Sequence, residues 1–203
     1  MTGALQPPDR SAMPGRRVAV VVGSTRPNRI CGSLASWVIR VLQSESELGY
    51  HILDLAEIDL PFLDEPFPAA LGRYEHEHTK AWSRLVNSFD AFVFVFPQYN
   101  WGYPAPLKNA LDFLYREWEG KPAGLVTYGT RGGGKGAAQL RGVLQGLNMR
   151  TLEENVELPI ARHDVDEMGQ LLDLEAILAP SMSAVRALDE QLVTCFAVAL
   201  GCD

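Results

Sequence analysis

The sequence predicts an α/β protein: a doubly wound, five-stranded parallel sheet in the order 2-1-3-4-5, with helices on both faces. Three observations carry this. Five short apolar runs alternate with helical patterns along the 203 residues, the arrangement that produces crossover-connected parallel strands. The first run is continuous and β-branched rather than alternating, as a strand covered on both faces must be. The unusual loops follow the first, third and fourth strands, which the 2-1-3-4-5 order makes neighbours. Sheets of this kind bind ligands beyond the carboxyl ends of their strands, where the order reverses, so the three loops converge on one crevice.

The elements follow in order. Residues 1–15 are Pro-rich and lack an apolar core, so they read as a flexible N-terminal arm. Residues 16–203 are then one domain, as expected for this length. Arg17 to Val22 is the first strand. Ser33 to Ser44 places Leu34, Trp37, Val38, Val41 and Leu42 at helical spacing, and His51 to Leu55 is the second strand. Residues 59–74, with Pro61, Pro66 and Pro68, form a long loop of the kind that often serves as a lid. A helix from about Glu75 to Phe89 leads into Ala91 to Phe96, the most strand-like run of all. Pro106 to Trp118 is amphipathic through Leu107, Ala110, Leu111 and Leu114. Gly124 to Tyr128 is the fourth strand, Ala137 to Leu147 a helix, and the fifth strand lies within Leu152 to Leu158. Ser183 to Leu200 is the final helix, and neither an internal repeat nor an interdomain linker interrupts the series.

Composition narrows the partners. Eighteen Lys and Arg stand against 25 Asp and Glu, a formal net charge of −7. That balance argues against nucleic acid or an anionic membrane as the main partner, and any anion site has to be built locally. No stretch approaches the ~20 apolar residues of a membrane span. Arg16-Arg17 resembles a twin-arginine signal, but the run behind it, Val18 to Val22, has the length of a strand. Cys31, Cys195 and Cys202 form no CxxC and leave one cysteine over, which suits a reducing compartment and a cytoplasmic protein.

The three loops carry the chemistry. In "GSTRPNR" the small residues open a helix, where unpaired backbone donors and the dipole favour a phosphate. Ser24, Arg26 and Arg29 are the side chains that would add to it, against the alternative of an ordinary helix start with solvated arginines. The G-x-G-x-x-G pattern is absent here. In "PQYNWGYPAPLKNALDFL" Tyr99, Trp101 and Tyr103 lie between prolines, a rigid, flat-faced loop that suits a planar ring, a subunit contact or plain packing. Lys108 and Asp112 lie four apart, as an exposed ion pair does.

"YGTRGGGKGAA" admits more than one reading. Gly129-xxxx-Gly134-Lys135 copies most of a Walker A loop, but Gly136 stands where a Mg²⁺-binding hydroxyl belongs. Gly132-x-Gly134-x-x-Ala137 mimics a dinucleotide fingerprint, and a bare flexible turn is the plain alternative. What these share is a backbone that something flat or anionic can approach closely. His76 and His78, two apart and on different faces of a helix, read as surface residues, and no metal site is expected. Cys31, near a helix start, is either an activated thiol or a small residue packed under the loop. No Ser-His-Asp arrangement is recognisable, so no side chain is named as catalytic. If this is an enzyme, a cofactor carries the reaction.

Taken together, in this order and spacing, the three loops resemble the NADPH-dependent FMN reductase family of flavodoxin-like proteins over roughly residues 18–150. The resemblance implies that Ser24, Arg26 and Arg29 lie in the loop holding the FMN phosphate. It implies that Pro97, Gln98, Tyr99, Asn100 and Trp101 border the isoalloxazine ring. Gly129, Thr130, Gly132 and Gly133 would close on the other edge. Position 98 usually carries Glu in that family, and here it is Gln98. The family also implies an oxidoreductase that takes hydride from NADPH or NADH and passes electrons from FMN to a second acceptor, such as a quinone, an azo compound or free flavin. Dimers or tetramers are expected, with Trp101, Tyr103 and the helix after them at the contact. The competing functions are a non-enzymatic flavodoxin-like carrier or redox sensor, and a P-loop phosphotransferase built on Gly129 to Lys135.

Overall fold

In the computed structural model, which describes residues 15–44 and 46–200 (198–200 by backbone alone), five strands form one sheet. They are β1 (Arg17–Val22), β2 (Gly49–Asp54), β3 (Ala91–Pro97), β4 (Pro122–Gly129) and β5 (Arg150–Pro159), in the order β2-β1-β3-β4-β5. Every pairing is parallel. The expected order and fold class hold. The N-terminal arm lies almost wholly outside the described residues, as does Cys202.

The continuous apolar run of β3 explains itself once both faces are covered. Ala91, Val93 and Val95 face a core completed by α1 (Cys31–Gln43), α6 (Leu174–Leu178) and α7 (Met182–Leu200). Phe92, Phe94 and Phe96 face the opposite core under α2 (Leu55–Ile58), α3 (Glu77–Asn87), α4 (Ala105–Asp112) and α5 (Gly134–Gly146). There the Phe92 ring meets Trp118 edge-on at 5.0 Å, the arrangement aromatic quadrupoles prefer.

Several expected boundaries move, each for a physical reason. The helix expected to run to Trp118 ends at Asp112. The indole N–H of Trp82 donates to the Ala110 carbonyl at 2.9 Å, and that of Trp118 to Leu111 at 3.1 Å. A continued α-helix would give the Ala110 carbonyl the Leu114 amide, which instead donates to Leu111 at 3.3 Å. α5 starts at Gly134, three residues before the expected Ala137. β5 is longer than expected and carries an irregularity opposite Ala123–Leu125. The Arg141 guanidinium bonds there to the Leu152 carbonyl and the Asn155 side chain. Two short helices escaped the sequence pattern, α2 and α6; Asp54 and Asp173 cap them by accepting from Ala56 N and Ala176 N.

Candidate functional site

The loops after β1, β3 and β4 meet at the carboxyl edge of the sheet. The first begins with Gly23, whose amide donates to the Val95 carbonyl at 2.8 Å. A Cβ there would lie 3.0 Å from the Phe96 Cβ, so the close strand approach leaves little room for a side chain. Ser24 is fully buried, and its Oγ lies 2.9 Å from the Tyr99 hydroxyl, one donating to the other. Arg29 pairs with Asp54 at the end of β2 (2.6 Å), while its buried Nε finds no partner among the described residues. The Arg26 guanidinium makes no hydrogen bond or ion pair there either. α1 follows with no side-chain cap at Ile30, so its first amides stay available. Cys31 is packed under the loop. Burial pushes its thiol up, and its Sγ donates to the Val95 carbonyl at 3.2 Å, which rules against the activated-thiol reading.

The second loop is a tight turn. Tyr99 and Gly102 exchange backbone hydrogen bonds at 2.9 and 2.8 Å, and between them Asn100 and Trp101 have φ of 48° and 72°. Positive φ at both central residues is the signature of a type I′ turn. For a tryptophan it costs about 1–2 kcal/mol. The same Trp101 is 64% exposed, with the Lys135 ammonium 3.0 Å from its ring centre. An exposed, strained aromatic is what a binding site rather than a core maintains. On either side of this turn the chain is fastened. The Gln98 amide donates to the Tyr128 carbonyl, and its Oε1 accepts from Lys135 N and Gly136 N, both at 3.1 Å.

The third loop places Gly132 and Gly133 at φ of 78° and 96°. Thr127 Oγ1 donates to the Gly132 carbonyl at 2.8 Å, and a Cβ on Gly133 would lie 2.9 Å from the Thr127 Cβ. Across the loop, Cβ atoms on Gly132 and Gly134 would fall 2.6 and 2.5 Å from the Glu157 carboxylate oxygens. Gly129, just before Thr130, accepts at its carbonyl from Gly132 N and Ile160 N at 3.1 and 2.9 Å. This geometry opposes the P-loop alternative: Gln98 already holds two of the helix-start amides a phosphate would need. A carboxylate lies against the glycines, and Lys135 is turned to Trp101.

The long loop is a fixed wall rather than a free lid. The Glu65 carboxylate accepts from the amides of Glu75 and His76 at 2.8 and 3.1 Å. Asn109 of α4 donates to the Pro61 carbonyl at 2.7 Å and accepts from Leu63 N at 3.0 Å. Here the sequence reading of the histidines needs correcting. Because α3 begins at Glu77, His76 precedes it, and the two rings stack 5.2 Å apart instead of facing different ways. Both bond to Asp64. Beside the crevice the wall borders an open cleft of about 550 Å³ lined by Thr25, Ala56, Phe62, Pro106 and Asn109. No group of three or more His, Cys, Asp or Glu among the described residues could hold a metal.

The structure therefore brings the residues expected from sequence to one edge, with Arg29 spending one nitrogen on Asp54. Sequence reasoning missed Glu157, Asp54 and Tyr128, whose hydroxyl hydrogen-bonds with Cys31 and which burial keeps firmly protonated. They belong to β5, β2 and β4, where the apolar strand pattern does not mark a functional residue. The arrangement fits FMN: an orphaned buried Arg29 Nε, a free Arg26 and uncapped amides suit a phosphate, and exposed Tyr99 and Trp101 suit a flat ring.

Comparison with known proteins agrees. The family model for NADPH-dependent FMN reductase matches residues 16–162. The chain is 45% identical over 147 residues to an NAD(P)H-dependent FMN reductase of Saccharomyces cerevisiae, covering 67% of this chain and 77% of that one. It is 32% identical over 180 residues to a probable NADPH:quinone oxidoreductase of Oryza sativa, covering 81% and 86%. Among solved structures, the flavoenzyme NAD(P)H:(acceptor) oxidoreductase FerB of Paracoccus denitrificans superposes with a TM-score of 0.68 at 23% identity, covering 88% and 98%.

Proposed function

The chain belongs to the NADPH-dependent FMN reductase family, an oxidoreductase family whose cofactors are FMN and NAD(P)H, and on that premise we propose how its own residues divide the work. Ser24, Arg26, Arg29 and the first amides of α1 hold the FMN phosphate. Pro97, Gln98, Tyr99, Asn100 and Trp101 border the ring on one side. Gly129, Thr130, Gly132 and Gly133 border it on the other. FMN held there would supply the redox chemistry between NADPH or NADH and a second acceptor. The chain's part is to fix the ring, keep one face open and exclude water from the loops beneath. The quinone oxidoreductase relative supports a quinone as acceptor. Azo compounds and free flavin belong to the same class of flat electron acceptors.

One crevice bounded by three loops supports a single site used in turn by donor and acceptor. The kinetics are then ping-pong, with parallel double-reciprocal lines at several acceptor concentrations; intersecting lines would refute this. We also propose a homodimer or homotetramer, supported by Trp101 at 64% exposure and Phe62 at 87%, apolar surface that a lone chain gains nothing by showing water. Light scattering of the FMN-loaded protein that shows only a 22.4 kDa species would count against it. Residues 16–203 act as one domain in this reading. A cytoplasmic location is supported by Cys31 and Cys195, both free thiols. No helix among the described residues is long and apolar enough to cross a membrane.

The observation that carries the proposal is the orphaned buried Arg29 Nε, three residues after an Arg26 whose guanidinium makes no hydrogen bond or ion pair among the described residues. It is tested by titrating FMN and riboflavin, which share a ring but not a phosphate. A hydrogen bond to a charged group contributes roughly 1.5–3 kcal/mol. Arg26→Ala therefore weakens FMN about ten- to a hundredfold and leaves riboflavin nearly unchanged. Equal losses for both flavins would mean that the loop does not read the phosphate. A chain that binds FMN but is not bleached by NAD(P)H under anaerobic conditions would be the non-enzymatic carrier instead.

A further inference from the structure

We infer that Gln98 is a positioning residue that sets the electrostatics of the ring site: it ties the loop after β3 to the start of α5 with a neutral cap, leaving the helix's positive end available to a reduced flavin. The inference rests on the functional reading above. Its observations are independent of any ligand. The Gln98 Oε1 accepts from two consecutive amides, Lys135 N and Gly136 N, at 3.1 Å each. The same residue's backbone amide extends the β3–β4 pairing by donating to the Tyr128 carbonyl at 3.0 Å. One residue thus fixes the separation of the two loops assigned to the ring.

The charge follows from the same contact. A helix start carries about half a positive charge, and α5 is a 13-residue helix without a side-chain cap at Gly133. A carboxylate at position 98 would keep both hydrogen bonds and cancel that charge. A carboxamide keeps the bonds and leaves the charge in place. Glu157 already brings one carboxylate to Gly132 and Gly134 and offsets part of that charge; Gln98 adds no second one. Gln98 comes from β3, on the side of β4 where the ring loops meet. Since reduction adds negative charge to the ring, the neutral cap favours the reduced state.

The test uses Gln98→Glu and Gln98→Leu in the full chain. Gln98→Glu keeps both hydrogen bonds, so the flavin-free protein melts at or above the wild-type temperature. Its preference for reduced over oxidised FMN falls on the order of tenfold, the upper range for a charge at a partly buried helix terminus. For a two-electron couple that is a potential about 30 mV lower. Gln98→Leu loses both bonds, melts lower without flavin and weakens both oxidation states together. An unchanged potential in Gln98→Glu with FMN fully bound would overturn the inference while sparing the functional reading. Failure of wild-type protein to bind FMN would overturn both.

Discussion

Two glycines, one just before α5 and one inside it, should respond oppositely to the same substitution. At Gly133 the backbone has φ of 96°, and an added methyl would lie 2.9 Å from the Cβ and 3.1 Å from the Oγ1 of fully buried Thr127. Forcing a side chain into that region costs about 1–2 kcal/mol, and overpacking against a neighbour that cannot move away adds about 1–3 kcal/mol. Gly133→Ala is therefore expected to destabilise by about 2–5 kcal/mol, which lowers Tm by roughly 4–20 °C at this chain length. At Gly142 the backbone is ordinary helix and an added methyl meets nothing within 4 Å. Gly142→Ala should stabilise by about 0.5–1 kcal/mol and raise Tm by a few degrees. Urea unfolding of both variants, flavin-free and with saturating FMN, measures the difference. A Gly133→Ala protein within 1 kcal/mol of wild type would show that the loop after β4 can relax, and that its glycines do not fix the ring's edge.

Other perturbations have outcomes of known sign. Trp101→Gly removes the strain at φ 72° together with the Lys135 contact. Unfolding free energy should move by less than about 1 kcal/mol, while FMN binding by fluorescence weakens tenfold or more. Arg141→Met leaves the Leu152 carbonyl and Asn155 without their cation. The cost is about 1–3 kcal/mol, with hydrogen exchange rising first in β5. Burial lowers the Lys121 ammonium to about 8, below its ordinary 10.5. The unfolded chain then holds more protons than the folded one between pH 8 and 10.5, so this group makes stability rise with pH across that window. Wild type should gain on the order of 1–2 kcal/mol over Lys121→Met between pH 8 and 10, read from urea midpoints; a constant difference would refute the depressed ammonium.

Much of this was readable from sequence because it is local. A strand such as Ala91–Phe96 announces itself by composition, and loops rich in glycine and proline announce themselves by what they lack. The three loops were found for that reason, and their convergence followed from strand order alone. What escaped were contacts made by residues far apart along the chain. α4 ends early because Trp82 reaches across to Ala110, 28 residues away. Arg29 is half committed to Asp54 because β2 lies beside β1. Glu157 reaches the glycine loop only because β5 flanks β4. The histidines read differently because α3 starts two residues later than expected, at Glu77, which leaves His76 outside it without a helical face.

Gln98 and Tyr99 are neighbours in sequence, yet one side chain fastens to the start of α5 and the other to Ser24 after β1. For anyone recombining this protein with its relatives, that makes the three loops a single unit of inheritance. A segment 97–102 transplanted alone would arrive without the amides and the hydroxyl it is cut to meet. A chimera should exchange residues 23–30, 97–102 and 129–136 together, and a crossover placed between any two of them should fold around a mismatched cleft.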